Sequence, residues 1–126
     1  MSKTRYTQEH EWLRLEDDGL VTIGITDFAQ QQLGDLVYVQ LLETGKEFAK
    51  GDEAAVIESV KAASEILMPT DGQVVEANTV LVDEPSKVNE DPLGAGWFFK
   101  IKMKDPGDLN GFMDEAAYQA YISNQD

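Results

Sequence analysis

The stretch Glu58-Ser59-Val60-Lys61-Ala62-Ala63-Ser64-Glu65 isolates one lysine among small residues, with an acid on either side. A lysine held this way at an exposed turn is suited to covalent modification by a second enzyme, because its amine can be reached and handled. The acids, Glu58 at −3 and Glu65 at +4, also form a carboxylate pair. General acid and base work of the glycosidase type would need one partner's pKa raised. No aromatic residue flanks the pair to make a sugar site, and an exposed turn offers little desolvation. His10 is the single histidine and cysteine is absent. Those counts exclude a multi-histidine or thiolate metal site, a cysteine nucleophile and a disulfide framework, and a lone histidine gives no firm basis for a conventional triad with a Ser or Cys nucleophile. His10 reads as a structural hydrogen-bonding residue.

The lysine must be positioned by the segments on either side. Glu53 to Glu58 reads as a strand and Ile66 to Met68 as another, so a hairpin over about 53–68 carries Lys61 near its bend. Gly51 and Gly72 lie ten residues before and eleven after the lysine, each in a turn context, Lys50-Gly51-Asp52 and Pro69-Thr70-Asp71-Gly72. Alternation dominates elsewhere. Val21, Ile23 and Ile25 share one strand face, as do Val37, Val39 and Leu41, while Trp97, Phe99, Ile101 and Met103 alternate with Phe98, Lys100 and Lys102. Asp27 to Leu33 predicts a short helix, with Thr26 or Asp27 as N-cap and Gly34 past its end. A C-terminal helix is predicted over about 114–122, with Tyr118, Tyr121 and Ile122 on one face. Asp83 to Lys87 and Asn89 to Gly96 read as surface loops, and Gly24 and Gly34 as turn and bulge residues, since neither satisfies a phosphate-loop spacing. Trp12 and Trp97 read as core or near-core aromatics. The pattern predicts a mainly β fold, a flattened barrel or sandwich with a short internal helix and a C-terminal helix.

With 126 residues, 42% of them hydrophobic, the chain is expected to form one domain over 1–126. A net charge of −14 argues against nucleic-acid binding through backbone neutralisation, which needs clustered Lys and Arg, and suits encounter with basic docking surfaces. No run approaches the roughly twenty apolar residues needed to cross a bilayer. Met1 to Tyr6 shows neither an apolar run nor an Arg-rich leader, which leads to the expectation of a cytoplasmic, bacterial-type protein. A monomer is expected, since burying surface in a dimer gives a protein that presents one tip no obvious gain.

The blocks His10-Glu11-Trp12, Ile23-Gly24-Ile25-Thr26-Asp27, Leu33-Gly34-Asp35, the Lys61 segment, Asn89-Glu90-Asp91-Pro92 and Gly96-Trp97 follow one another in that order. In this the chain resembles the glycine cleavage H-proteins, a family of lipoyl carriers, over nearly its whole length. Leu41 to Gly45 stands where many relatives have a proline, and Leu93 where an aromatic residue is common. The resemblance implies a fold of the lipoyl or biotinyl carrier type and lipoic acid joined to Lys61 by an amide, the surface around it, with Glu58 and Glu65, being read by a lipoate-attaching enzyme. It implies a non-enzymatic swinging arm that takes an aminomethyl group from glycine at glycine decarboxylase (P-protein), a pyridoxal-phosphate enzyme. The arm passes the carbon to tetrahydrofolate at the aminomethyltransferase (T-protein), and dihydrolipoamide dehydrogenase (L-protein) reoxidises it. The same likeness places Glu11 close to the arm, where Glu11 or Glu65 would shield the cationic loaded end from water. A paralogue relaying lipoyl groups to other complexes shares these features. A biotin carrier fits less well, because biotinyl domains usually set methionines beside the lysine and here Val60 and Ala62 stand there.

Overall fold

The computed structural model describes residues 3–16, 19–41 and 44–123. Among the described residues nine strands make two sheets, both antiparallel throughout. β1 (Lys3–Tyr6), β2 (Glu11–Leu15), β3 (Val21–Ile25), β9 (Phe99–Met103), β8 (Gly72–Ala77) and β5 (Glu47–Phe48) form the larger sheet in that order. β4 (Leu36–Leu41), β6 (Glu53–Ser59) and β7 (Ala63–Leu67) form the smaller one. Leu13, Ile23, Phe99 and Ile101 of the first sheet and Val39 and Ile57 of the second belong to one buried cluster. The sheets do not close on each other, so the architecture is an open sandwich and not a barrel.

The alternation expected of these strands holds where one face meets solvent and fails where both are covered. In β9, Phe99, Ile101 and Met103 are buried and Lys102 is exposed. Ahead of that strand the pattern breaks, because Phe98 is fully buried, its N–H bonded to the Ile23 carbonyl, and Trp97 is only half-buried. All five residues of β3 are buried. Trp12, directly opposite Gly24 across the β2–β3 pair, lies on it so closely that a Cβ there would sit 2.7 Å from the indole. Gly24 is therefore a mid-strand residue that makes room for a tryptophan, not a turn or bulge residue. Trp12 Nε1 donates to the Pro92 carbonyl at 2.9 Å, and so ties the 89–96 segment over this face.

β4 corrects a second expectation. The register shifts between Leu36 and Tyr38, so Val37 is 58% exposed while Val39 is fully buried. A bulge adds one residue to a strand and turns those before it to the other face. Helix α1 (Asp27–Leu33) has the expected cap, with Thr26 Oγ1 accepting from the Ala29 N–H, and Gly34 follows at φ 78°. Two further helices, α2 (Val80–Asp83) and α3 (Lys87–Glu90), occupy parts of the chain read as loop or left unassigned. Each has four residues, too few to show a helical period. A 3₁₀ turn, Pro106–Gly111, leads to α4 (Glu115–Ser123), one residue later at each end than expected. Of the segment set apart from the family pattern, Leu42 and Glu43 lie outside the described residues.

Candidate functional site

Lys61 sits in the bend between β6 and β7, exposed, and small residues tie the bend together. The Ser59 N–H bonds the Ala62 carbonyl at 2.8 Å. Ser59 Oγ accepts from the Lys61 and Ala62 N–H groups, both at 3.1 Å, and donates to the Ala62 carbonyl at 3.1 Å. A serine can do this because one hydroxyl both donates and accepts. The bend is also fastened to the rest of the molecule, through the Val60 N–H to the Asp35 carbonyl at 3.0 Å. A Cβ on Gly34 would touch Lys61 Cε at 3.5 Å, so the lysine stem lies over the corner between α1 and β4. At φ 78° that corner favours glycine on backbone grounds as well. Asn89 holds it from beneath. Its Oδ1 accepts from the Leu36 N–H at 2.9 Å, and its Nδ2 donates to the Gly34 carbonyl at 2.9 Å and to Gln30 Oε1 at 3.0 Å.

The flanking acids are both exposed. Glu58 is opposite Ala63, and Glu65 is opposite Val56 on the strand leading away from the bend. Among the described residues, Glu58 and Glu65 show neither the burial nor the hydrogen bonding that acid and base chemistry demands. The described ion pairs, Arg14 with Glu16 and Lys87 with Glu90, leave Lys61 out.

Glu11 is elsewhere. It is 3% exposed, at the start of β2 and beside Leu67, so the length of β7, about 16 Å for five residues, separates it from the Lys61 bend. There it lines a cleft of about 350 Å³ with Thr7, Lys50, Leu67, Met68 and Pro69. Burial pushes the Glu11 carboxyl up to about 8. Hydrogen bonds from the Leu67 backbone N–H and from Thr7 Oγ1, the latter at 3.5 Å, act against burial, while the Glu9 charge adds to it. A carboxyl raised to about 8 by burial is mostly protonated at pH 7. The exposed row Ala63, Glu65 and Leu67 runs from the lysine to this cleft.

His10 has the structural role expected of it, with Nδ1 2.9 Å from the Tyr118 hydroxyl. Trp12 is core and Trp97 half-buried, also as expected. Ser59 was visible from sequence only as a small neighbour of the lysine, and its hydrogen bonds were not. The contact of Gly34 with Lys61, and the support from Asn89, carried no local signal apart from lying in two of the ordered blocks.

The ordered blocks and the lysine hairpin prompt comparison with known proteins. The family model described as the glycine cleavage H-protein matches residues 4–125. The chain belongs to the glycine cleavage H-protein family. It is 53% identical to the glycine cleavage system H protein of Rhodospirillum rubrum over 126 residues, all of both chains. To H protein 1 of Pseudomonas aeruginosa it is 56% identical over 123 residues, 98% of this chain and 96% of that one. A crystal structure of the H protein from Mycobacterium marinum superposes with a TM-score of 0.86 at 35% identity, covering 96% of this chain and 97% of that one. This H-protein family member is thus a lipoyl carrier in glycine cleavage, a carrier and not an enzyme, and that role implies contact with the other components of the system. Among the described residues no helix is long and apolar enough to cross a membrane.

Proposed function

We propose that Lys61 is the lipoylated residue, and that the chain serves as one carrier domain, monomeric and cytoplasmic. The observation that carries this reading is the bend itself, a solvent-exposed amine on a Ser59-tied turn that two strands hold out from the sandwich. For attachment, Lys61 Nζ must first lose its proton. Its lone pair then attacks the activated carboxyl carbon of lipoate, so that a C–N bond forms as the bond to the leaving group breaks. The residues fit such a group, since Ala62, Ala63 and Ser64 add no bulk beside the amine and Lys61 takes no part in a described ion pair. Once bound, lipoic acid supplies a dithiolane that accepts the aminomethyl group of glycine, yields it to tetrahydrofolate and is reoxidised.

The chain's own part is presentation. The Lys61 bend enters the active sites of glycine decarboxylase, the aminomethyltransferase and dihydrolipoamide dehydrogenase in turn, and tethering raises the local concentration of cargo at each. Glu11 receives the cationic end of that cargo in the cleft at the base of β7. With such a cationic end beside it, the Glu11 proton would pass to solvent and leave the carboxylate as counter-charge, while the apolar walls from Leu67, Met68 and Pro69 would limit access of water. Glu11→Gln is expected to shorten the lifetime of the loaded protein without preventing lipoylation.

Reconstitution with the three enzymes, tetrahydrofolate and NAD tests the reading. The lipoylated chain should support glycine-dependent NADH formation and Lys61→Arg should support none. Equal activity from the two proteins would remove Lys61 from the site.

A further inference from the structure

We propose that Tyr118 of the C-terminal helix is a positioning residue for Glu11, acting through His10. The inference rests on the reading of Glu11 as the residue that holds the loaded end.

Thr7 to His10 form the turn between β1 and β2. Thr7, Gln8, Glu9 and Glu11 all line the cleft, and His10 alone of this run does not. His10 is also the only non-glycine residue with positive φ among the described residues, at 67°. That backbone shape is uncommon for a side-chain-bearing residue and persists only where the surroundings enforce it. Here the enforcement comes from the side away from the cleft. The His10 ring packs against Phe28 at 4.7 Å and Tyr121 at 5.7 Å, and its Nδ1 meets the Tyr118 hydroxyl.

Hydrogen-bond accounting gives that contact a direction. Thr26 Oγ1 accepts from the Ala29 N–H, and the Tyr118 oxygen at 2.6 Å is the described acceptor within reach of its own proton, so the assignment that satisfies both has Thr26 donating to Tyr118. Tyr118 then donates to His10 Nδ1, which requires the neutral imidazole with its proton on Nε2. Burial lowers the His10 pKa, which favours that neutral form. The Tyr118 ring is itself fixed by stacking on Tyr6, with centroids 4.7 Å apart and planes at 10°. Tyr121 adds a second grip by donating to the Gln8 carbonyl at 3.2 Å. Helix α4 therefore holds the turn at two points, and the His10 backbone aims the next residue, Glu11, beneath the Leu67 N–H.

The test is Tyr118→Phe, which deletes the hydroxyl and keeps the ring. Tyr38→Phe, on the exposed face of β4, serves as control. The first readout is the ¹³C NMR titration of the Glu11 carboxyl in the unloaded protein. The groups facing it are Glu9 on its own turn and Tyr6 and Lys50 across the cleft, and neither substitution alters any of them. Released from its aim, Glu11 gains water, and its midpoint should fall by about one pH unit in Tyr118→Phe and stay fixed in Tyr38→Phe. The second readout is the lifetime of the loaded form, expected to shorten in Tyr118→Phe at an unchanged rate of lipoylation. His10→Gly, which permits the same backbone shape and removes the ring, should reproduce both effects. An unmoved Glu11 midpoint in both folded variants overturns the proposal. If the midpoint moves but Glu11→Gln leaves the lifetime unchanged, the positioning stands and the assignment of Glu11 to the loaded end fails.

Discussion

Glu11→Gln should stabilise the protein at neutral and alkaline pH and leave it nearly unchanged in mild acid. The wild-type carboxyl moves from 4.5 in the unfolded chain to about 8 in the fold because burial disfavours the carboxylate. A raised folded-state pKa contributes stability fully below pH 4.5, and that contribution is lost as pH rises through 8. At pH 7 the fold has forgone two and a half units at ~1.36 kcal/mol each, about 3 kcal/mol. Glutamine has the same shape, remains neutral and can still accept the Leu67 N–H, so it avoids this loss. Urea unfolding of both proteins from pH 5 to pH 9 measures the effect. With a slope near 1.5 kcal/mol per molar urea, the variant's midpoint should exceed the wild type's by about 2 M at pH 7 and by little at pH 5. Self-repulsion from the net charge of −14 affects both proteins, and the difference between them isolates Glu11. Parallel pH profiles would refute the reasoning, since they would mean that Glu11 is ionised and solvated in the empty cleft.

Three further substitutions test the framework around the lysine. Asn89→Ala removes three hydrogen bonds and leaves the Leu36 N–H without its partner, so stability should fall by about 2–4 kcal/mol in the same urea assay. Gly24→Ala places a methyl group against the Trp12 ring and should cost about 1–3 kcal/mol, with a change in indole fluorescence as the ring is displaced. Ser59→Ala unties the bend while leaving the sandwich intact. Its unfolding midpoint should barely move, while the efficiency of lipoate attachment drops about tenfold, the equivalent of ~1.4 kcal/mol.

What could be read from sequence was what depends on near neighbours. The strand before Lys61, the Thr26 cap and Gly34 stop of α1, and the C-terminal helix are each set within a few residues and lie close to where they were expected, while the strand after the lysine runs from Ala63 to Leu67 and not from Ile66 to Met68, because its pairing with β6 extends right up to the bend. The ordered blocks carried the family and the lysine hairpin. What escaped depends on distant parts of the chain. Gly24 reads as a turn until Trp12 is known to lie across it, and Val37 reads as inward until the β4 bulge turns it out. The four-residue helices α2 and α3 are too short for a period, and packing of the chain around them decides their shape. Glu11 was recognised as a candidate, but its burial at the far end of β7, and the His10 backbone that directs it there, come from contacts with strands and helices remote in sequence.

The most direct test of the central claim is intact and peptide mass spectrometry of the protein isolated from cells supplied with lipoate, with Lys61→Arg as control. A lipoyl mass on the peptide containing Lys61, absent from the variant, is the predicted result. A biotin mass at that position, or an unmodified Lys61 in cells where another lipoyl domain is modified, would contradict it.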